Sequence, residues 1–489
     1  MKKYLGIIII LAVFIASIYL ILKIPKPAEL DIPVHTINGE LENNEEWLGI
    51  FLQGQRIGYS FTTVTKTDTG VFVENRSRMS LIMMNAQRTV DTHIYSYTDL
   101  DFVLKEFKLL LKTMGHDSKI EGVIKGDKLT LTVYSQGQSQ TQTIVLKEKP
   151  YLPSAIEEVI KQKNMKPGDE IMLPYFDPTT QSSTQAEIKV IGQEKVMVFN
   201  REYQGLRVEI DVMGLKEVAW FDDDFKLIKR SSPSMGMEMI PLSKEEALAD
   251  IKPADAFDLL SFFSVKPDKP LADPVALSYL KLELKDITIT DLDIDDDYQK
   301  LISKDPIIIE FHWPDMNDLP ELSIPIKGHD EFLAPSLYIQ CENREIIEKA
   351  KELSGSEKNA KKVVARLVTG VYDMLVRNPT ASLPSAIDVL KTKEGDCNEH
   401  AVLFAALARA QGIPTKIYVG LVSLRGSAYF YHAWCAVWLG KWVPVDPTFN
   451  QFPADVGHLK LKEGEVSEWA KVLKVVGKLQ INILDSRLK

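Results

Sequence analysis

Between Gly395 and Thr448 the chain reads as one helix followed by two strands, and that order constrains the fold more than any other feature. Gly395-Asp396-Cys397-Asn398-Glu399-His400-Ala401 leads into Val402 to Gln411, where Ala401, Phe404, Ala405 and Ala408 recur at helical spacing. Asp396 suits the cap before the first turn. Gly412 suits the left-handed position past the last turn, and Pro414 stops continuation. Tyr431 to Leu439 then reads as a strand, Gly440-Lys441 as a turn, and Trp442 to Thr448 as a returning strand. In such a hairpin a two-residue loop would put Asp446 on the face of Cys435. A three-residue loop, Leu439 to Lys441, or a bulge puts Asp446 opposite Trp434 and diagonal to His432.

That geometry carries chemistry. Cys397 falls on the first helical turn, where unpaired backbone N–H groups and the positive end of the helix dipole are expected to lower a thiol's pKa and to hold an oxyanion. A thiolate nucleophile needs a base, and the base needs an orienting group. His432 and Asp446, on neighbouring strands, are the candidates, so Cys397, His432 and Asp446 form the expected catalytic set. Trp434 lies on the His432 face of its strand and is the candidate to line a substrate cleft. Cys435 points the other way and reads as core; Cys341 has no partner motif and reads as structural. His400, three residues after Cys397, reads as a buried, satisfied side chain, although it could serve as a base or, with Glu399, as a metal ligand. No metal or cofactor is expected. The run Asp291, Asp293, Asp295, Asp297 superficially follows a calcium loop, but Asp296 stands where the glycine is needed and Ile302 where the glutamate is needed. A solvated strand face is expected there.

The blocks GDCNEHAVLFAALARAQGIP (395–414) and YHAWCAVWLGKWVPVDPTF (431–449), with the helices upstream, resemble the transglutaminase-like superfamily, a papain-like fold, over about residues 338–461. The resemblance implies a Cys-His-Asp triad at Cys397, His432 and Asp446. It does not imply one reaction, because the superfamily includes crosslinking enzymes, peptidases, amidases and inactive scaffolds. One departure is Ala436, where family strands often carry an acidic residue.

The rest of the chain sets the surroundings. Tyr4 to Leu22 is an uncharged run rich in Ile and Leu. As a helix it would rise roughly 28 Å, close to the thickness of a hydrocarbon core. No cleavage site of the A-x-A kind follows, so an uncleaved anchor is expected rather than a signal peptide. Lys2 and Lys3 before the run balance Lys23 and Lys26 after it, and the α-amino charge favours a cytoplasmic N-terminus. The expected location is single-pass membrane, with the bulk of the chain extracytoplasmic.

Residues 24–45, with Pro25, Pro27 and Pro33, read as a tether. Residues 46–242 alternate in the manner of an antiparallel β-rich domain, with Gly126-Asp127 as a hairpin turn and Pro153 to Lys163 as a helix. Residues 243–337 read as a linker and small β region, and 338–489 as the transglutaminase-like domain. The fold class expected is therefore α+β: an N-terminal transmembrane helix, a β-rich domain and a papain-like domain.

A net charge of -10 speaks against a nucleic-acid binder. A protein or peptide substrate is expected, as is membrane attachment through the N-terminal helix. The function expected is a thiol enzyme cleaving or transferring an amide or isopeptide acyl group through a cysteine thioester, with hydrolysis favoured over crosslinking. The alternative is a non-catalytic envelope binding or assembly scaffold on the same fold.

Overall fold

The computed structural model describes residues 44–83, 86–113, 116–135, 138–250, 264–378, 385–475 and 477–489. Period-two alternation between Asn44 and Pro241 builds a fourteen-stranded sheet in which every neighbouring pair is antiparallel. From the strand Asn44–Leu52 the sheet runs in chain order, hairpin by hairpin, to Gln138–Val145. On its other side Asn44–Leu52 pairs with Met237–Pro241, with Leu48 opposite Pro241, and the sheet runs back in reverse chain order to Glu170–Asp177.

The tight turns follow from residues that tolerate positive φ. Gly126-Asp127 closes the Lys125/Lys128 pair, and Gln53-Gly54 (φ 51° and 78°) closes Leu52/Gln55. The helix Ile156–Gln162 buries Ile156, Val159 and Ile160 against Val71, Val73, Ile188 and Val208 of this sheet. A cavity of about 990 Å3 beside that helix is lined by Glu46, Glu157 and Arg230 among mostly apolar side chains.

A second, four-stranded antiparallel sheet has the order Gln299–Lys304, Ile307–His312, Leu277–Lys285, Gln480–Leu488. The C-terminal strand thus returns to pair with a segment about two hundred residues earlier. The remaining architecture surrounds Cys397. Four helices, α1 (Arg344–Ser354), α2 (Ala360–Met374), α3 (Ala386–Thr392) and α4 (Cys397–Ala410), lie with α4 packed against the other three. Strands β1 (Thr415–Leu424), β2 (Ala428–Trp438), β3 (Trp442–Val445) and β4 (His458–Glu463) form a sheet of order β3-β2-β1-β4. Every residue of α4 from Ala401 to Ala408 is buried, so this helix is the axis of the core.

Two expectations are corrected. The α+β class with an N-terminal transmembrane helix gives way to a strand-dominated fold, 50% strand and 19% helix among the described residues, because period-two alternation extends over the whole large sheet. The single-pass membrane location, with a cytoplasmic N-terminus and an extracytoplasmic bulk, is not supported by the described residues. Among the described residues no helix is long and apolar enough to cross a membrane. The longest of them, α2, has 15 residues and carries Lys361, Lys362, Arg366 and Asp373. Its span of roughly 22 Å is too short and its surface too charged for a hydrocarbon core. The run Tyr4 to Leu22 lies outside the described residues, as does nearly all of the expected tether.

Candidate functional site

The site starts at the N-terminus of α4. Asp396 is the N-cap: its carboxylate accepts from the backbone N–H of Asn398 at 2.9 Å, while the Glu399 carboxylate accepts from the Asp396 N–H at 2.9 Å. This reciprocal capping box fixes the first turn, and with it Cys397. Gly395 is required by space: a Cβ there would lie 2.2 Å from the Glu399 Cβ. At the other end Gly412 takes φ 73° as expected, and a Cβ would meet Pro325 at 2.4 Å.

Cys397 is partly exposed, whereas Cys341 and Cys435 are buried. Its sulfur sits against the backbone N–H of Ala433, the residue next to His432 on β2. The expected depression of its pKa is not found. Burial pushes the thiol well above its ordinary value, the carboxylates of Asp396 and Glu399 add to the rise, and the Ala433 N–H opposes it. The cap that places the cysteine thus brings two negative charges beside it. These effects favour the thiol over the thiolate.

The histidine strand and its return follow from the turn. Trp438 faces Trp442, Val437 faces Val443 and Cys435 faces Val445, so the loop is the three-residue Leu439 to Lys441. That parity brings His432 and Asp446 to one side. His432 Nε2 donates to Asp446 Oδ2 at 2.8 Å. The chain leaves β3 through Asp446, which exchanges two backbone hydrogen bonds with Gln451 at 2.9 Å.

Asp446 is 0% exposed, yet its acceptor capacity is fully used. Oδ1 accepts from the N–H groups of Thr448 (2.7 Å) and Phe449 (3.3 Å), and Oδ2 accepts from His432 and from His458 Nε2 at 3.0 Å. Burial alone would raise this carboxyl; the two imidazoles beside it outweigh burial and hold it far below the usual carboxylate range. His458, at the start of β4, continues the chain of contacts. Its Nδ1 meets Asp455 Oδ1 and the Asp455 carbonyl, each at 3.1 Å. Asp455 and Asp446 together overcome its burial and raise it to about 10. Neither Asp455 nor His458 stood out in the sequence, although their i,i+3 spacing just downstream of Asp446 was the available signal.

Aromatic rings fix the imidazole. His432 stacks on Phe449 (centroids 5.0 Å, interplanar 15°) and on Trp434 (6.0 Å, 17°). Trp434, expected at the cleft, is only 1% exposed and packs with Tyr418, Ala436 and Trp442. It supports the histidine rather than opening to solvent. Arg377 lies over the Phe449 ring at 5.2 Å and donates to the Thr448 carbonyl.

The remaining candidates are accounted for. Cys435 is core and donates to the Ala401 carbonyl at 3.3 Å. Cys341 donates to the Leu333 carbonyl at 3.4 Å. His400 is buried, with Nδ1 2.6 Å from the Asp396 carbonyl, and burial lowers its pKa, so it stays neutral. The acidic run is not a calcium loop; it is solvated as expected, with Asp291, Asp295 and Asp297 exposed, but it lies in a loop rather than on a strand. Asp291 pairs with Lys474 (2.9 Å) and Asp293 with Lys462 (2.8 Å). Asp295 and Asp296 accept backbone N–H groups, and Asp297 accepts the Trp442 N–H at 2.7 Å, which pins the start of β3.

His432, Asp446 and His458 converge closely enough to suggest a metal cluster, with ligand atoms within 4.8 Å. Their convergence is accounted for by hydrogen bonds: His432 and His458 each point a ring nitrogen at Asp446 Oδ2, and His458 turns its other nitrogen to Asp455.

Residues 347–447 match the model of the transglutaminase-like superfamily. Among solved structures, one from Cytophaga hutchinsonii titled a "putative cysteine protease" aligns at 16% identity over 44% of this chain and 86% of that one, with a TM-score of 0.27. A "putative protease" from Parabacteroides distasonis aligns at 11% identity over 72% and 67% of the two chains, TM-score 0.22. A β-barrel-like protein from Brucella abortus aligns at 13% identity over 41% and 96%, TM-score 0.32. Scores this low carry no argument about activity. No curated protein matches the chain.

Proposed function

Starting from a chain that carries a transglutaminase-like domain, we propose that Cys397, His432 and Asp446 form a thiol site for acyl transfer from an amide or isopeptide bond, with water as the ordinary acceptor. The observation that carries this reading is the fully buried Asp446 carboxylate 2.8 Å from His432 Nε2. It commits one ring nitrogen to orientation and leaves Nδ1 as the nitrogen for the thiol.

In this mechanism the Cys397 sulfur attacks the substrate carbonyl and its proton passes to His432. Because its surroundings favour the thiol over the thiolate, His432 acts as a general base at the moment of attack. Backbone N–H groups at the start of α4 stabilise the oxyanion. His432 then protonates the leaving amine, and the acyl group remains as a Cys397 thioester. Water, deprotonated by His432, cleaves the thioester and regenerates the thiol. Asp446 stays ionised throughout and stabilises the imidazolium. The substrate class is a protein or peptide.

A second reading is favoured by one observation: burial and two adjacent carboxylates push the Cys397 thiol up, as in a scaffold that keeps the fold without turnover. The two readings separate in a trapping experiment. The protein is incubated with a peptide amide library and examined by mass spectrometry for an acyl adduct on Cys397 and for released amine. An adduct or amine release that disappears in Cys397→Ala supports the enzyme; neither in wild type supports the scaffold, and amine release that persists in Cys397→Ala refutes the thiol site.

A further inference from the structure

Beyond the three residues of the thiol site, Asp446 has a second partner that the mechanism above does not use. His458 Nε2 shares Asp446 Oδ2 with His432, at 3.0 and 2.8 Å. A neutral imidazole carries one N–H, yet both nitrogens of His458 face carboxylate oxygens, Asp446 on one side and Asp455 on the other. Each contact is satisfied only if both nitrogens are protonated. Asp455 is itself held in place, accepting from Gln451 Nε2 and the Gly457 N–H, each at 2.8 Å. The side chains of His458, Asp455 and Asp446 are all buried, so water screens none of this.

Resting on the thiol-site reading, we infer that His458 is a positioning residue: a standing imidazolium, clamped by Asp455, that fixes the Asp446 carboxylate and offsets part of the negative charge felt by His432 and Cys397. The hydrogen-bonded relay runs Asp455, His458, Asp446, His432, with carboxylate and imidazole alternating. Without the positive charge on His458, Asp446 would act on His432 as an uncompensated buried anion. Other charged groups near His458 are already matched. Lys460 and Asp296 pair with each other at 3.3 Å, and Lys460 also pairs with Glu463 at 2.8 Å. His312 lines the same small cavity as His458, Lys460 and Asp296.

The consequence is a pH signature. Removing one positive charge makes every remaining proton of the cluster harder to remove, so both limbs of the Cys397 reactivity profile move to higher pH. The ring centroids of His432 and His458 are 5.9 Å apart. Coulomb's law at that separation, with an effective dielectric constant between roughly 80 and 20, gives a displacement of roughly 0.5 to 2 pH units.

The test measures the rate of Cys397 alkylation by iodoacetamide from pH 5 to 10 in the full chain, for wild type and for His458→Gln, whose amide keeps a donor toward Asp446 but no charge. An alkaline displacement of the whole profile supports the inference, whereas a uniform loss of rate with an unmoved profile reduces His458 to packing and overturns it. Nitrogen-15 chemical shifts of His458 in wild type, which need no variant, give the second readout. Two protonated nitrogens at pH 8 support the clamp, and a neutral ring overturns it. If Cys397 fails to alkylate at all, the thiol-site reading fails, while the nitrogen shifts still decide whether the clamp exists.

Discussion

Gly395→Ala is expected to loosen the cysteine turn without touching a reacting group. The added Cβ would lie 2.2 Å from the Glu399 Cβ and 2.5 Å from its Cγ, distances that no pair of carbon atoms tolerates. Glu399 is 1% exposed and cannot swing into solvent, so the turn itself must shift. That shift breaks the bond from the Asp396 N–H to the Glu399 carboxylate. Overpacking of a filled site costs about 1–3 kcal/mol, and a lost capping interaction about 1 kcal/mol. The sum is a destabilisation of about 2–4 kcal/mol. Urea unfolding followed by tryptophan fluorescence reads it, and Cys397 alkylation in the folded variant reads the displaced thiol. An unfolding midpoint equal to that of wild type would refute the claim that Gly395 is needed for space.

Other outcomes follow from the buried charges. His458 is raised to about 10 from an ordinary 6.5, so its stabilisation is complete below about pH 6.5 and lost as pH rises through 10. Wild type should weaken across that window by several kcal/mol, on the order of 3–5, while His458→Gln stays flat there; parallel curves for the two proteins would remove the linkage. Asp446→Ala strands that imidazolium and should cost about 3–5 kcal/mol near pH 7, read by thermal unfolding, with a cost under about 1 kcal/mol contradicting the pairing. Glu46, raised from 4.5 to about 7 by burial and by Glu157, weakens the fold as pH rises through that interval, because its ionised form is disfavoured there. Glu46→Gln should therefore stabilise at pH 8 by about 1–3 kcal/mol and give no gain at pH 4. A gain of the same size at both pH values would show that the cause is packing.

How far these features could be read in advance depended on their range along the chain. The α4 cap, the Gly412 terminus and the Leu439 to Lys441 turn were legible because each is local: parity left a three-residue loop or a bulge once His432 and Asp446 were required on one face, and the structure takes the loop. The Gly126-Asp127 turn was legible for the same reason. The pairing of Leu277–Lys285 with Gln480–Leu488 was not, because no local pattern names a strand partner two hundred residues away. The meeting of Asn44–Leu52 with Met237–Pro241 is of the same kind.

His458 escaped for a related reason: a lone histidine at a strand start has no signature until the sheet sets it beside Asp446. The cysteine's acidity was misjudged from a correct local element. The helix start was placed well, but the dipole was weighed without the burial and the two carboxylates that the cap brings with it. Trp434 was put on the right face of its strand, yet the stacking of Tyr418 and Trp442 around it decides that it is enclosed. The fold class erred in proportion, since strands of the two further four-stranded sheets add to the large one, so that strand far outweighs helix among the described residues.

The central claim is that His432 activates Cys397, and the most direct measurement is the iodoacetamide alkylation rate of each cysteine at pH 7.5, read by mass spectrometry in wild type and in His432→Gln. Greater exposure alone would make Cys397 the fastest of the three, so the comparison that decides is the one between proteins. The account expects Cys397 to react faster than Cys341 and Cys435 in wild type and to lose at least about tenfold in rate when His432 is replaced, the smaller end of the contribution of a positioned base. A Cys397 rate that is unchanged in His432→Gln, in a variant that remains folded, would contradict it.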